Sequence, residues 1–195
     1  RDVLTAPFAD RLIEAVRRAG TPLCVGFDVF PERIPKLFGE VGEDMKAVLR
    51  FGEAIIELAG PRAGVFKPQL GFLEPFGANG VLCGQILSEM AQAAGMVSIL
   101  DAKRGDIGST AEGYARATLG PRPGFDADAV TVSPYLGRDS IEPFLKMAEA
   151  NQKGVAVLVR TSNPGARDIQ DQPVNGQPLW TRVADMIAPE AERLR

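Results

Sequence analysis

The chain has 195 residues, of which 45% are hydrophobic, and a formal charge of −3. That length suits one domain of ordinary size with a substantial core, and so mild a charge argues against nucleic acid or a membrane surface as partner. Histidine is absent, which excludes, within this chain, a histidine general base, a Ser-His-Asp triad and a histidine-ligated metal.

In chain order, short apolar runs alternate with longer stretches of helical period. A first helix places Phe8, Leu12, Ile13 and Val16 on one face and stops at Gly20, with Pro22 just beyond. The strand candidate Pro22–Phe27 follows, then a helix lined by Met45, Val48, Leu49, Ile55 and Ile56 that ends at Gly60-Pro61. Next come a strand at Ala63–Phe66, a helix over roughly Asn79–Ala94 that stops at Gly95, and a strand at Met96–Leu100. A short helix over about Ser109–Thr118 opens on Ser109-Thr-Ala-Glu112, a capping-box pattern. Strands at Ala127–Val132 and Gly154–Val159 flank a helix beginning near Asp139-Ser140, and a last helix is expected near Pro178–Ile187. The strands are continuous apolar runs, the pattern of strands buried on both faces, and their alternation with helices predicts parallel βα units.

An open doubly wound sheet and a closed (β/α)8 barrel both fit that alternation. The polar residues favour the barrel. Asp28, Lys67, Asp101 with Lys103, Ser133-Pro134-Tyr135 and Thr161-Ser162-Asn163 each follow a strand, as βα loops do at a barrel's active face. An open sheet would gather its site at one switch point, and the glycine fingerprint expected there is missing. The expected fold is therefore α/β, a (β/α)8 TIM barrel of which only about the first five βα units are present. Residues 1–195 would form a single domain that stops before its last three units; truncation is expected over a natural fragment, because five eighths of a closed barrel would leave two sheet edges exposed.

Only Cys24 and Cys83 occur, which argues against a disulfide framework and suits a reducing, cytoplasmic setting. Both are expected to be small core residues. No apolar stretch is long enough to cross a bilayer. The chain begins with neither a methionine nor a signal-peptide pattern, so a trimmed start is expected.

The chemistry concentrates in Asp101-Ala-Lys103-Arg-Gly-Asp106-Ile107, two carboxylates and an ammonium crowded where a buried strand meets solvent. Such sites are where proteins shift pKa values. Lys103 lies two residues past Asp101, so the two point to one side if strand geometry persists. Asp106 falls at the loop-to-helix junction, where a carboxylate gains from the helix dipole, and Lys67 ends the neighbouring strand. The plain alternative is a surface salt-bridge cluster with a helix cap, contributing at most about 1 kcal/mol per pair. Arg104-Gly105-Asp106 also spells an adhesion tripeptide, rejected because nothing else looks extracellular. Gly77, Asn79 and Gly80 suit a phosphate cradle or, better, a loop and helix start. Ser133–Gly137 suits a tight turn before an Asp139/Ser140 cap or a ligand contact. Arg160 and Arg167 suit anion binding or, better, solvated surface charge.

At these residues the chain resembles the orotidine 5'-phosphate decarboxylase family. The heptad matches that family's signature, and Phe66-Lys67-Pro68-Gln69, Ser133-Pro134-Tyr135-Leu136-Gly137 and Thr161-Ser162-Asn163-Pro164-Gly165 match one of its subgroups, from about Leu23 to Asp168. The resemblance implies decarboxylation of orotidine 5'-monophosphate to UMP without cofactor or metal. It implies a catalytic charge network of Lys67, Asp101, Lys103 and Asp106, with Lys103 as the proton donor. Asp106 would reach in from the other subunit of a homodimer, accompanied by Ile107 and Thr110. Asp28 would hold a ribose hydroxyl, Ser162 would read the pyrimidine edge, and Pro164 would join it among the substrate-binding positions. Another barrel enzyme of the superfamily acting on a sugar phosphate, and a non-catalytic module or fragment, stand as alternatives. The residues that would grip the phosphate are expected after strands 7 and 8 and have no counterpart here.

Overall fold

The structure, a computed structural model, describes residues 6–193. Residues 1–5, where the reading of the chain start falls, lie outside the described residues. The order of elements is α1 (Phe8–Ala19), β1 (Cys24–Phe27), α2 (Lys46–Ala59), β2 (Val65–Pro68), α3 (Gly77–Ala93), β3 (Val97–Arg104), α4 (Gly108–Leu119), β4 (Ala129–Val132), α5 (Arg138–Asn151), β5 (Gly154–Val157), α6 (Ala166–Ile169), β6 (Pro173–Val174), β7 (Gln177–Pro178) and α7 (Leu179–Arg193).

The first five strands form one sheet, all parallel, in the order β1-β2-β3-β4-β5. Sequential order without reversal is the singly wound pattern of a (β/α) barrel; a doubly wound sheet would reverse at a switch point. The sequence expectation holds for all five strands. The register sorts the side chains into two faces. Phe66, Leu100, Val130 and Val132 are buried against the helix layer with Val48, Ile56, Leu87, Leu119, Ile141 and Phe144. The other face carries Val65 and Val97, which pack with Ala15 and, partly buried, Phe8, Leu12 and Ile99. Helix α1 thus closes the N-terminal end of the strands. It approaches so tightly that a Cβ on Gly154 would meet the Phe8 ring at 2.5 Å.

Several local expectations are corrected. Ile13 is exposed, and Ala15 is the buried residue of α1, because the helix docks on the strand ends along a stripe rotated away from Ile13. The capping box does not form. Helix α4 begins at Gly108 with Ile107 as its N-cap and no side-chain cap, leaving Ser109 inside the first turn. The α5 N-cap is Gly137, not Asp139 or Ser140; Ser140 instead donates its hydroxyl hydrogen to Gly137 O at 2.6 Å. The Pro134–Gly137 segment is a tight turn, closed by Gly137 N–H to Pro134 O at 3.0 Å. Cys83 is buried as expected and its thiol is pushed up to about 12 by that burial, but Cys24 is exposed. It lies on β1, at one edge of the five-stranded sheet.

Candidate active site

The C-terminal ends of β2, β3 and β4 converge on one carboxylate. Asp101 is only 6% exposed and receives four hydrogen bonds. Lys67 Nζ and Gln69 Nε2 donate to Oδ2 at 2.9 and 3.0 Å. Lys103 Nζ and Thr131 Oγ1 donate to Oδ1 at 2.6 and 2.9 Å. An ionised carboxylate offers about four acceptor positions, so this one is held at close to its full capacity. Burial opposes its charge, but the hydrogen bonds from Lys103, Lys67 and Thr131 outweigh burial and keep the carboxyl below its ordinary value. Burial likewise disfavours the Lys67 ammonium. Its bond to Asp101, with the nearby charges of Asp101 and Asp28, raises it above the usual lysine range. Each partner therefore keeps the other ionised.

Register explains how both lysines reach one oxygen pair. Gly26 pairs with Lys67 across β1 and β2, and Gln69 bridges to Asp101 across the next ladder. Asp28, Lys67, Gln69 and Asp101 alternate onto the same face of their strands. On β3 the strand geometry does not persist as expected. The ladder runs Leu100↔Val130 and then Arg104↔Val132, so residues 101–103 stand opposite Thr131 alone. Within that bulge Lys103 adopts φ 48°. A left-handed backbone on a long side chain costs on the order of 1–3 kcal/mol and persists only where its surroundings impose it. Lys103 still meets Asp101, though by the bulge and not by strand alternation. Its side chain remains 46% exposed, so Lys103 is open to solvent while its ammonium is bonded to Asp101.

The heptad's fourth charged member behaves differently. Asp106 Oδ1 accepts the Ile107 N–H at 2.8 Å, and among the described residues Asp106 makes no ion pair with Lys67 or Lys103. Ile107, at 58% exposure, and Thr110 lie open at the start of α4. Arg104 is ion-paired with Glu74 and sits 5.6 Å from the Tyr114 ring centroid, tying the end of β3 to α4. Asp28, Ser162 and Pro164 are also exposed. The loop that carries the last two is fixed from outside. Gln170 Oε1 accepts the Thr161 N–H at 2.7 Å while its Nε2 donates to Thr161 Oγ1 at 2.8 Å. Arg160 is held in a two-pronged pair with Asp171, at 2.8 Å on each prong. Asn79 donates to Glu43 O, and a Cβ on Gly80 would lie 1.9 Å from Leu73 O, so close packing accounts for that glycine without a phosphate cradle.

The structure therefore brings together Lys67, Asp101 and Lys103, and leaves Asp28, Asp106, Ile107, Thr110, Ser162 and Pro164 around the mouth. It adds Gln69 and Thr131, which sequence reasoning did not single out. Gln69 lay within a quoted motif but reads as an ordinary polar strand end, and Thr131 reads as a β-branched strand residue.

A singly wound parallel sheet that gathers ammonium groups around a buried carboxylate at the C-terminal ends of its strands defines a (β/α)-barrel enzyme scaffold. Residues 21–188 match the family described as Orotidine 5'-phosphate decarboxylase / HUMPS family, and the chain belongs to that family. The orotidine 5'-phosphate decarboxylase of Rhodopirellula baltica is 41% identical over 191 residues, spanning 92% of this chain and 63% of that protein. That of a Roseiflexus species is 43% identical over 180 residues, spanning 92% and 62%. Among solved structures, a Streptomyces avermitilis chain aligns with a TM-score of 0.84 at 36% identity, covering 97% of this chain and 66% of that one. The Leishmania donovani OMP decarboxylase aligns with a TM-score of 0.76 at 34% identity, covering 92% and 64%. The chain thus spans less than two thirds of the length of these relatives.

Proposed function

We propose that the protein carrying this chain removes CO2 from C6 of orotidine 5'-monophosphate to give UMP, as a step of pyrimidine biosynthesis in the cytoplasm. One observation carries the reading: a buried, ionised Asp101 bracketed by Lys67 at 2.9 Å and Lys103 at 2.6 Å, with the Lys103 side chain open to solvent. When the C6–carboxylate bond breaks, its electron pair stays on C6 as an sp2 carbanion. A fixed ammonium at that carbon stabilises the charge as it develops, without reorganising, and then transfers a proton to C6. The products are CO2 and UMP, and Lys103 regains its proton from solvent. Asp101 is held where it would face the substrate's carboxylate, a repulsion relieved as CO2 leaves.

Within this reading Asp28 holds a ribose hydroxyl, and Ser162, with Pro164 in the same loop, meets the pyrimidine. Asp106, Ile107 and Thr110 complete the site of a second copy in a homodimer with shared active sites. The exposure of Ile107 and Thr110 at the start of α4, beside a half-buried Asp106, supports that role. The chain forms a single barrel domain that supplies the first five βα units of the fold.

The test is Lys103→Ala in the whole protein. Loss of the ammonium is expected to lower kcat for orotidine 5'-monophosphate by on the order of 10³-fold or more, since both a charge and an acid disappear. Near-normal decarboxylation would sink the assignment.

A further inference from the structure

We propose that Thr131 is a positioning residue, one that sets Lys103 and Asp101 for the reaction; the inference rests on the decarboxylase reading above. The bulge in β3 puts three residues opposite one on β4, so β3 N–H groups there have no carbonyl partner in the ladder. The Thr131 side chain takes the place of the missing strand. Its Oγ1 accepts the Ala102 N–H at 3.0 Å and the Lys103 N–H at 2.9 Å, and donates its own hydrogen to Asp101 Oδ1 at 2.9 Å. A hydroxyl has one hydrogen and two lone pairs. All three are used, on three consecutive residues of the site.

Two features make this more than a structural bond. First, Lys103 stands at φ 48°, and its half-exposed side chain is anchored at its tip by the bond to Asp101 Oδ1 at 2.6 Å. Thr131 therefore fixes both ends of that contact, the Lys103 backbone and the Asp101 carboxylate. Second, Thr131 is a neutral donor. It fixes Asp101 without adding a third positive charge to the two ammonium groups already beside it. The hydroxyl's three bonds also set its orientation, so the clamp is in place before substrate arrives.

The experiment compares Thr131→Val, which keeps the β-branched shape but has no hydroxyl, with Thr131→Ser, which keeps the hydroxyl, in the whole protein. T131V is expected to lower kcat about 10²-fold, the scale of a misplaced reacting group. KM for orotidine 5'-monophosphate should move far less, and T131S should recover most of the loss. A crystal structure of T131V should show Lys103 out of the left-handed region and its ammonium away from Asp101. A T131V enzyme with kcat within a factor of about two of wild type overturns the proposal. So does a T131S enzyme as impaired as T131V, or a T131V structure that keeps the Lys103 backbone and its contact. If T131V does not fold, Thr131→Ala against T131S makes the same comparison, since the pair differ by one oxygen atom. A wild-type protein that leaves the nucleotide intact removes the decarboxylase reading, while the T131V structure still decides whether Thr131 positions Lys103.

Discussion

Gln69 stands directly across the β2–β3 ladder from Asp101 and donates its amide hydrogen to Oδ2 at 3.0 Å. Its Oε1 meanwhile accepts the Gly71 N–H at 3.1 Å, which fixes the amide's orientation through the turn at Leu70–Phe72. Asp101 is thus held by two cations and two neutral groups, and the neutral pair sets its place without neutralising it. A hydrogen bond to a charged acceptor contributes about 1.5–3 kcal/mol. Gln69→Met keeps the length and removes the donor, and is expected to lower kcat for decarboxylation roughly 10- to 100-fold. Steady-state kinetics on the whole protein, with circular dichroism as a folding control, measures it; unchanged kcat would show that Gln69 is only a turn residue.

The same carboxylate links stability to pH. Asp101 titrates below its ordinary value of 3.8, so its charge supports the fold above that pH and the support is lost as pH falls through the lower folded value. Lys67 titrates above its ordinary 10.5, so its charge supports the fold below that pH and the support is lost as pH rises through the higher folded value. The pair is fully charged across the range between. The stability advantage of wild type over Asp101→Asn is therefore expected to be level near neutrality and to narrow as pH falls below 3.8. Against Lys67→Met it should narrow as pH climbs past 10.5. Urea denaturation across a pH series reads both, and an advantage that stays constant through either limit refutes the corresponding half.

How much of this was legible in the sequence depends on how far apart the causes lie. The five strands were readable because each is a local apolar run, and Lys67, Asp101 and Lys103 were readable because they end such runs. The bulge that brings Lys103 to Asp101 was not. No glycine marks the left-handed position, and the residue that makes it tenable, Thr131, lies 28 residues downstream. Gln69 was hidden similarly, since its partner is on another strand. The Ser109–Glu112 pattern misled because Asp106 takes the Ile107 N–H and Gly108 starts the helix one residue early. The small β6–β7 hairpin carries a local signal: Asn175 and Gly176 both have positive φ, 53° and 80°, as a tight Asn-Gly turn requires. Helix α7 runs on to Arg193 with Pro189 inside it, past the expected end near Ile187.

At the opposite end of the strands, Arg11 and Asp128 form a buried ion pair that the chemistry does not use. Their side chains are 10% and 5% exposed. Arg11 Nη2 also donates to Gln152 O at 2.8 Å, while Asp128 Oδ2 accepts the Ser98 N–H at 2.9 Å and Gln92 Nε2 at 3.2 Å. The pair therefore joins α1 to α3, β3 and the entry to β4. Removing one member of such a pair leaves an uncompensated buried charge, at a cost of about 3–5 kcal/mol. Arg11→Met is expected near the lower figure, because Ser98 and Gln92 still serve Asp128. Arg11→Met with Asp128→Asn should be less destabilised than Arg11→Met alone, since the stranded charge is gone; urea midpoints for the four proteins close the cycle. Because Asp101 lies at the other ends of these strands, kcat of the folded variants should match wild type. A double variant no more stable than the single one would mean that Arg11 acts by packing α1 onto the strands, and not through its charge.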